Sequence, residues 1–83
     1  MIRILLADDH PLTRSGLAAW LEKEEGMELA GIASDGESAW RAVLDLSPDL
    51  AMLDIEMPGG NGIEIAARIR KEGLKTNVLI LTA

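Results

Sequence analysis

The chain has 83 residues, 48% of them hydrophobic and 27% charged, a composition that allows one globular domain and excludes a long disordered or repetitive segment. Its 14 acidic against 8 basic side chains leave a net charge of −6, which speaks against a general nucleic-acid surface. The absence of cysteine removes disulfides and thiolate metal sites, and no apolar run approaches the length that spans a bilayer.

Ile2–Ala7 (IRILLA) is a short, nearly continuous apolar run, as in a strand covered on both faces. Pro11 suits the first turn of a helix, where its missing N–H costs nothing. Leu17, Ala18, Trp20 and Leu21 predict an apolar stripe along that helix, and Gly26 punctuates its end. Met27–Ala33 reads as a second strand, weakened by Glu28 and Gly31. Ser34 and Glu37 have the spacing of a capping box, opening a helix that carries Ala39, Trp40, Val43 and Leu44. Pro48 separates this helix from a third strand, Leu50–Leu53, which runs into Asp54. Asn61 and Glu64 form a second capping box, with Ile63, Ala66, Ala67 and Arg70 expected on one helical face and Gly73 beside the C-cap. Val78–Thr82 (VLILT) is a fourth strand, rich in β-branched residues.

Short strands alternating with helices imply an α/β fold: parallel strands, right-handed crossovers, and helices on both faces of the sheet. In such sheets ligands sit beyond the carboxyl ends of the strands, where the strand order reverses. Asp8 and Asp9 follow the first strand, Asp54 the third, and Thr82 closes the fourth, so the topology gathers them at one edge.

Three converging carboxylates repel one another and raise at least one pKa, a penalty that a hard divalent cation removes. Mg²⁺ takes oxygen ligands and is commonly held by one or two carboxylates plus phosphate. Asp9 and Asp54 are the expected direct ligands, Asp8 binds directly or through water, and the Glu56 backbone carbonyl adds a further oxygen. One Asp54 oxygen then stays free to attack phosphorus, as carboxylate nucleophiles do in forming aspartyl phosphates. Each residue also has a plainer reading: Asp54 as a strand-end cap, Asp8-Asp9 as an Asx turn or N-cap, Thr82 as a β-branched strand residue. His10 reads as solvent-facing or helix-capping, because there is no second histidine to suggest zinc. Gly59, Gly60 and Gly62 are turn and packing residues whose spacing fits neither a dinucleotide fingerprint nor a Walker loop.

LLADDHPLTRSGL at Leu5–Leu17, LDIEMPGGNGIE at Leu53–Glu64 and LILTA at Leu79–Ala83 together resemble a two-component response-regulator receiver domain. The DDHPL form is most similar to receivers that precede a LuxR/NarL-type helix-turn-helix. The resemblance implies a flavodoxin-like (CheY-like) doubly wound sheet of order 2-1-3-4-5, with the fifth strand, its lysine, the aromatic switch residue and the last helix beyond the 83 residues. It implies Asp54 as phosphoacceptor, Asp8, Asp9 and the Glu56 carbonyl as holders of Mg²⁺ (or Mn²⁺), Thr82 as the switch hydroxyl and Ala83 as the small residue after it. The implied partner is a sensor histidine kinase in the cytoplasm, with DNA reached only through an effector domain and no membrane contact. Without the lysine, phosphorylation is expected to be impaired; without the fifth strand, Val78–Thr82 becomes an edge that invites dimerisation or other self-association. Two other functions fit parts of the pattern: a truncated, non-switching interaction module, and a haloacid-dehalogenase-like phosphatase in which the Glu56 side chain of the DIE motif serves as general acid.

Overall fold

A computed structural model describes residues 1–82; Ala83, the expected small residue after the switch hydroxyl, lies outside them. The elements run β1 (Ile2–Ala7), α1 (Pro11–Lys23), β2 (Met27–Ala33), α2 (Gly36–Leu46), β3 (Leu50–Asp54), α3 (Gly62–Lys71) and β4 (Asn77–Leu81). All described strands are parallel, in the order β2-β1-β3-β4 expected of a doubly wound flavodoxin-like sheet. The chain leaves β1 to one side for β2 and returns across it to β3. The carboxyl ends of β1 and β3 therefore flank the point where the winding reverses.

The two-residue period of each strand divides the core into two layers. Ile4, Leu6 and Met52 face Ala18 and Leu21 of α1. Leu5, Ala7, Ala51 and Leu53 point the other way, against Ala39 and Val43 of α2 and Ile65 and Ile69 of α3. A strand covered on both faces must be apolar at nearly every position, which is why β1 reads IRILLA.

The helix faces differ from the expected ones. On α1 only Ala18 and Leu21 are buried, and Trp20 is 53% exposed. Successive residues turn by about 100°, so position 20 lies nearly opposite position 18. On α2, Ala39 and Val43 face the core while Leu44 is exposed. On α3 the buried face is Gly62, Ile65 and Ile69; Ile63, Ala67 and Arg70 are exposed. The rotation of α3 is fixed at its first residue. The Gly62 N–H donates to the Ile55 carbonyl at 3.2 Å, and a Cβ there would lie 2.5 Å from the Asp54 carbonyl oxygen. Backbone packed that closely sets which side chains turn inward.

Two of the three expected caps are present. Asn61 and Glu64 exchange both bonds of the capping box, at 2.9 and 3.2 Å. Gly73 follows the C-cap of α3 with φ of 70°, the left-handed conformation that favours glycine. At α2, however, the N-cap is Asp35 rather than Ser34: its carboxylate accepts the Ser38 N–H at 2.8 Å, and Glu37 pairs with Arg41. β4 ends at Leu81, which puts Thr82 just beyond the strand.

Candidate functional site

The site grows out of two strand ends. After β1 the Asp8 N–H still donates to Ala33 of β2 at 3.1 Å, so the chain leaves the sheet with Asp8 buried beneath the rim. Asp8 Oδ1 accepts the His10 N–H at 2.8 Å, an Asx turn, and Pro11 then opens α1 with its preset φ. The turn reading of Asp8-Asp9 therefore holds, and the turn leaves both carboxylates at the strand end. After β3, the Ile55 N–H bonds to Leu81 at 3.2 Å, and the Glu56 N–H reaches back to Asp54 Oδ1 at 3.3 Å. Asp54 is only 8% exposed.

The structure brings Asp8, Asp9 and Asp54 together, and adds His10. One ligand atom from each of the four lies within 4.8 Å of all the others. His10 Nδ1 stands 3.0 Å from Asp8 Oδ1, 3.1 Å from Asp9 Oδ1 and 3.3 Å from Asp54 Oδ2. A single ring N–H serves one acceptor, and Asp8 is the nearest. Asp9 Oδ1 and Asp54 Oδ2 are buried without a hydrogen bond. Such atoms carry their full desolvation cost, so each needs an explanation.

Electrostatics follow from this crowding. Burial pushes the Asp54 carboxyl above its ordinary value; the Glu56 N–H pulls it back, and the Asp8 charge adds to the rise. The hydrogen bond to Asp8 and the charge of Asp9 raise the His10 imidazole above 6.5.

Thr82 and Glu56 flank the cluster. A recess of about 280 Å³ is lined by Asp8, Asp54 and Thr82 together with His10. A second depression, of about 490 Å³, is lined by Asp9, Glu56 and again His10. Glu56 is exposed and meets Asp54 through its backbone N–H, which gives its side chain no general-acid contact with the carboxylate.

His10 is exposed and is the N-cap residue of α1, as the sequence reading has it; its approach to the carboxylates is what that reading lacks. Its side chain makes no cap hydrogen bond, and Nδ1 lies against Asp8 and Asp54 instead. The available signal was its position straight after the acid pair and before Pro11, where the turn has little freedom. The donor set, oxygen-rich with two orphaned buried oxygens, fits a divalent cation of the Mg²⁺ type.

Comparison with known proteins agrees with this geometry. Residues 4–83 match the family described as the response regulator receiver domain. The transcriptional regulatory protein LiaR of Bacillus subtilis is 43% identical over 83 residues, all of this chain and 39% of LiaR. The chain thus spans about two fifths of the length of the curated relatives it matches. The receiver domain of the Mycobacterium tuberculosis response regulator NarL superposes with a TM-score of 0.96 at 38% identity, over 99% of this chain and 66% of that one. RcsB from Salmonella enterica, solved on promoter DNA with the phosphomimetic BeF₃⁻, superposes at 0.87 with 26% identity, over 98% of this chain and 41% of RcsB. With a parallel sheet of this order and an acidic cluster at its switch point, the chain belongs to the response regulator receiver domain family.

Proposed function

We propose that Asp54 is the phosphoacceptor of this receiver, and that the chain is the N-terminal receiver part of a longer transcriptional regulator. The observation that carries the reading is the buried, unpartnered Asp54 Oδ2 amid the carboxylates of Asp8 and Asp9. In the proposed transfer, an Asp54 oxygen attacks the phosphorus of a phosphohistidine on a sensor histidine kinase. The P–O bond forms as the P–N bond breaks, and the departing imidazole takes up a proton. Burial helps by stripping water from the nucleophile and from the acyl phosphate that results.

Asp8, Asp9, Asp54 and the Glu56 carbonyl are the proposed holders of Mg²⁺, with Mn²⁺ as a substitute. Bound there, the ion supplies charge neutralisation at the phosphoryl oxygens. The hydroxyl of Thr82, which lines the same recess as Asp54, is the proposed donor to a phosphoryl oxygen. A kinase partner follows from the family; the cytoplasm is the compartment we assign to the exchange. LiaR's description as a transcriptional regulator, and RcsB's capture on a promoter, support an effector domain as the route to DNA.

Self-association is the remaining part of the reading. Among the described residues β4 has a neighbour on one side only, and its Leu79 is 48% exposed. In the 83 residues taken by themselves, an apolar edge of this kind invites another strand. Sedimentation at low micromolar concentration tests it: a monodisperse monomer with slow amide exchange over Asn77–Leu81 removes β4 as a contact.

The decisive experiment is chemical. In the regulator that contains this chain, a phosphorylated kinase and Mg²⁺ should label Asp54 with a hydroxylamine-sensitive phosphate. Asp54→Ala should abolish the label, and Glu56→Ala should reduce it less, because a backbone oxygen is the proposed ligand. Label recovered mainly on serine, threonine or His10 defeats the assignment.

A further inference from the structure

We infer that His10 is a ligand of the divalent cation, and that its ring nitrogen turns this receiver's site toward borderline ions that accept nitrogen, such as Co²⁺, Ni²⁺ and Zn²⁺. The inference rests on the metal reading above and adds a donor to it.

The geometry points this way through three distances. His10 Nδ1 lies 3.0, 3.1 and 3.3 Å from one oxygen each of Asp8, Asp9 and Asp54. An octahedral ion bound at about 2.1 Å holds adjacent ligand atoms about 3.0 Å apart. Nδ1 therefore stands in the position of a neighbour to all three carboxylate oxygens around one ion, without any side chain having to swing in. Two of those oxygens, Asp9 Oδ1 and Asp54 Oδ2, are buried and without hydrogen bonds, and Asp54 is 8% exposed. The oxygens left unsatisfied are thus the two beside which Nδ1 lies at 3.1 and 3.3 Å.

The His10 backbone is also held there. The His10 N–H is fixed on Asp8 Oδ1 at 2.8 Å, its carbonyl accepts the Arg14 N–H at 2.9 Å, and Pro11 sets the next φ. A fixed backbone leaves only the two side-chain torsions of the ligand to be ordered on binding. His10 lines the depressions on both sides of the cluster, so it stands between the Thr82 side and the Glu56 side.

The chemistry distinguishes ions. Imidazole suits Zn²⁺, Ni²⁺ and their neighbours, whereas carboxylate and water suit Mg²⁺. Any proton on the coordinating nitrogen leaves to solvent when the metal binds. Carboxylates by themselves also favour the later transition metals, so a bare preference for Ni²⁺ says nothing about His10. The diagnostic quantity is the part of the preference that disappears with the imidazole.

Calorimetric titration of the chain with Mg²⁺, Mn²⁺ and Ni²⁺ should be run on the wild type, His10→Ala, His10→Gln and Asp54→Asn. The ratio of Ni²⁺ to Mg²⁺ affinity should fall about tenfold or more in both His10 variants, the scale at which even outer-shell partners matter. Pulsed electron paramagnetic resonance of the Mn²⁺-loaded wild type should show hyperfine coupling to a directly bound nitrogen nucleus, lost in both variants. An unchanged ratio overturns the inference. So does a fallen ratio without nitrogen coupling, which makes His10 a partner of Asp8 rather than a ligand. Failure of the metal reading itself looks different: no Mg²⁺ binding, or the same Mg²⁺ affinity in Asp54→Asn.

Discussion

β3 has an aspartate at each end, and the two are used in opposite ways. Asp49, before its first residue, is exposed and tied to both neighbouring strands. Its Oδ2 accepts the Arg3 N–H at 2.8 Å, its own N–H donates to the Arg3 carbonyl at 2.9 Å, and its carbonyl accepts the Asn77 N–H at 3.0 Å. Around it the Arg3 guanidinium donates to the Leu46 carbonyl, and the Thr76 hydroxyl to the Pro48 carbonyl. At the other end Asp54 is buried, accepts one backbone N–H at 3.3 Å and leaves Oδ2 with no hydrogen bond. The difference teaches how to tell a structural carboxylate from a reactive one on a single strand. Each carboxylate accepts one backbone N–H, but where the rest of the group stays in solvent, the charge knits the rim together at little cost. Where burial outruns hydrogen bonding, the fold carries an unfavourable group that a cation or a phosphoryl group relieves.

The largest expected effect tests that contrast directly. Mg²⁺ at about one hundred times its Kd should stabilise the wild type by about 2.7 kcal/mol in urea unfolding. Asp54→Asn should abolish this gain, and Asp49→Asn should keep it. In metal-free buffer Asp54→Asn should be more stable than wild type, since it removes a buried charge without a full set of partners. If both variants respond to Mg²⁺ alike, the two ends of β3 are equivalent and the comparison fails.

A smaller effect concerns how tightly the carboxyl rim is built. A Cβ on Gly36 would lie 2.5 Å from the Gly59 carbonyl oxygen and 2.6 Å from that of Gly60, and one on Gly62 would meet Asp54 O at 2.5 Å. All three obstacles are backbone, and the Gly36 N–H is bonded to Pro58 at 2.7 Å, so little can yield. Gly36→Ala and Gly62→Ala should each cost about 1–3 kcal/mol, the range for overpacking. Gly16 on the outer side of α1 meets nothing within 4 Å, and Gly16→Ala should instead add about 0.5–1 kcal/mol through helix propensity. Equal costs at all three positions would show that the loops after β2 and β3 do not lean on one another.

These glycines also show where the sequence stopped being legible. Strand positions were readable because burial on both faces demands unbroken apolar runs, and helix limits because Pro11, Asn61 and Gly73 punctuate them. The direction each helix faces was not. α3 turns Ile65 and Ile69 inward because Gly62 lies against the Asp54 carbonyl, a contact between segments that no local pattern announces. Trp20 and Leu44, apolar and helical, were assigned to faces they do not share. In the site, the convergence of Asp8, Asp9 and Asp54 followed from topology, and the family resemblance supplied their roles. The part of His10 did not follow, since a lone histidine in a turn has a plainer meaning until the distances are known.

The smallest effect is one of slope. Asp54 and His10 both have folded-state values above their ordinary ones, 3.8 and 6.5. A group of this kind lends stability in its protonated form: the contribution is complete below the unfolded value and is lost as pH rises through the folded one. Asp35 works in reverse. The Ser38 N–H holds its carboxyl below 3.8, so its contribution is present above the unfolded value and disappears as pH falls through the depressed one. Lowering the pH of metal-free protein should therefore first raise the urea midpoint as His10 takes up its proton, beginning above 6.5. A second gain should come as Asp54 is neutralised, before the loss at Asp35. His10 is largely open to solvent, and screening keeps its share small. His10→Asn should remove the first gain and Asp54→Asn the second, each leaving the other in place. A wild-type midpoint that falls steadily with acid, in parallel with both variants, would mean that the carboxyl rim is no more burdened than the amino rim around Asp49.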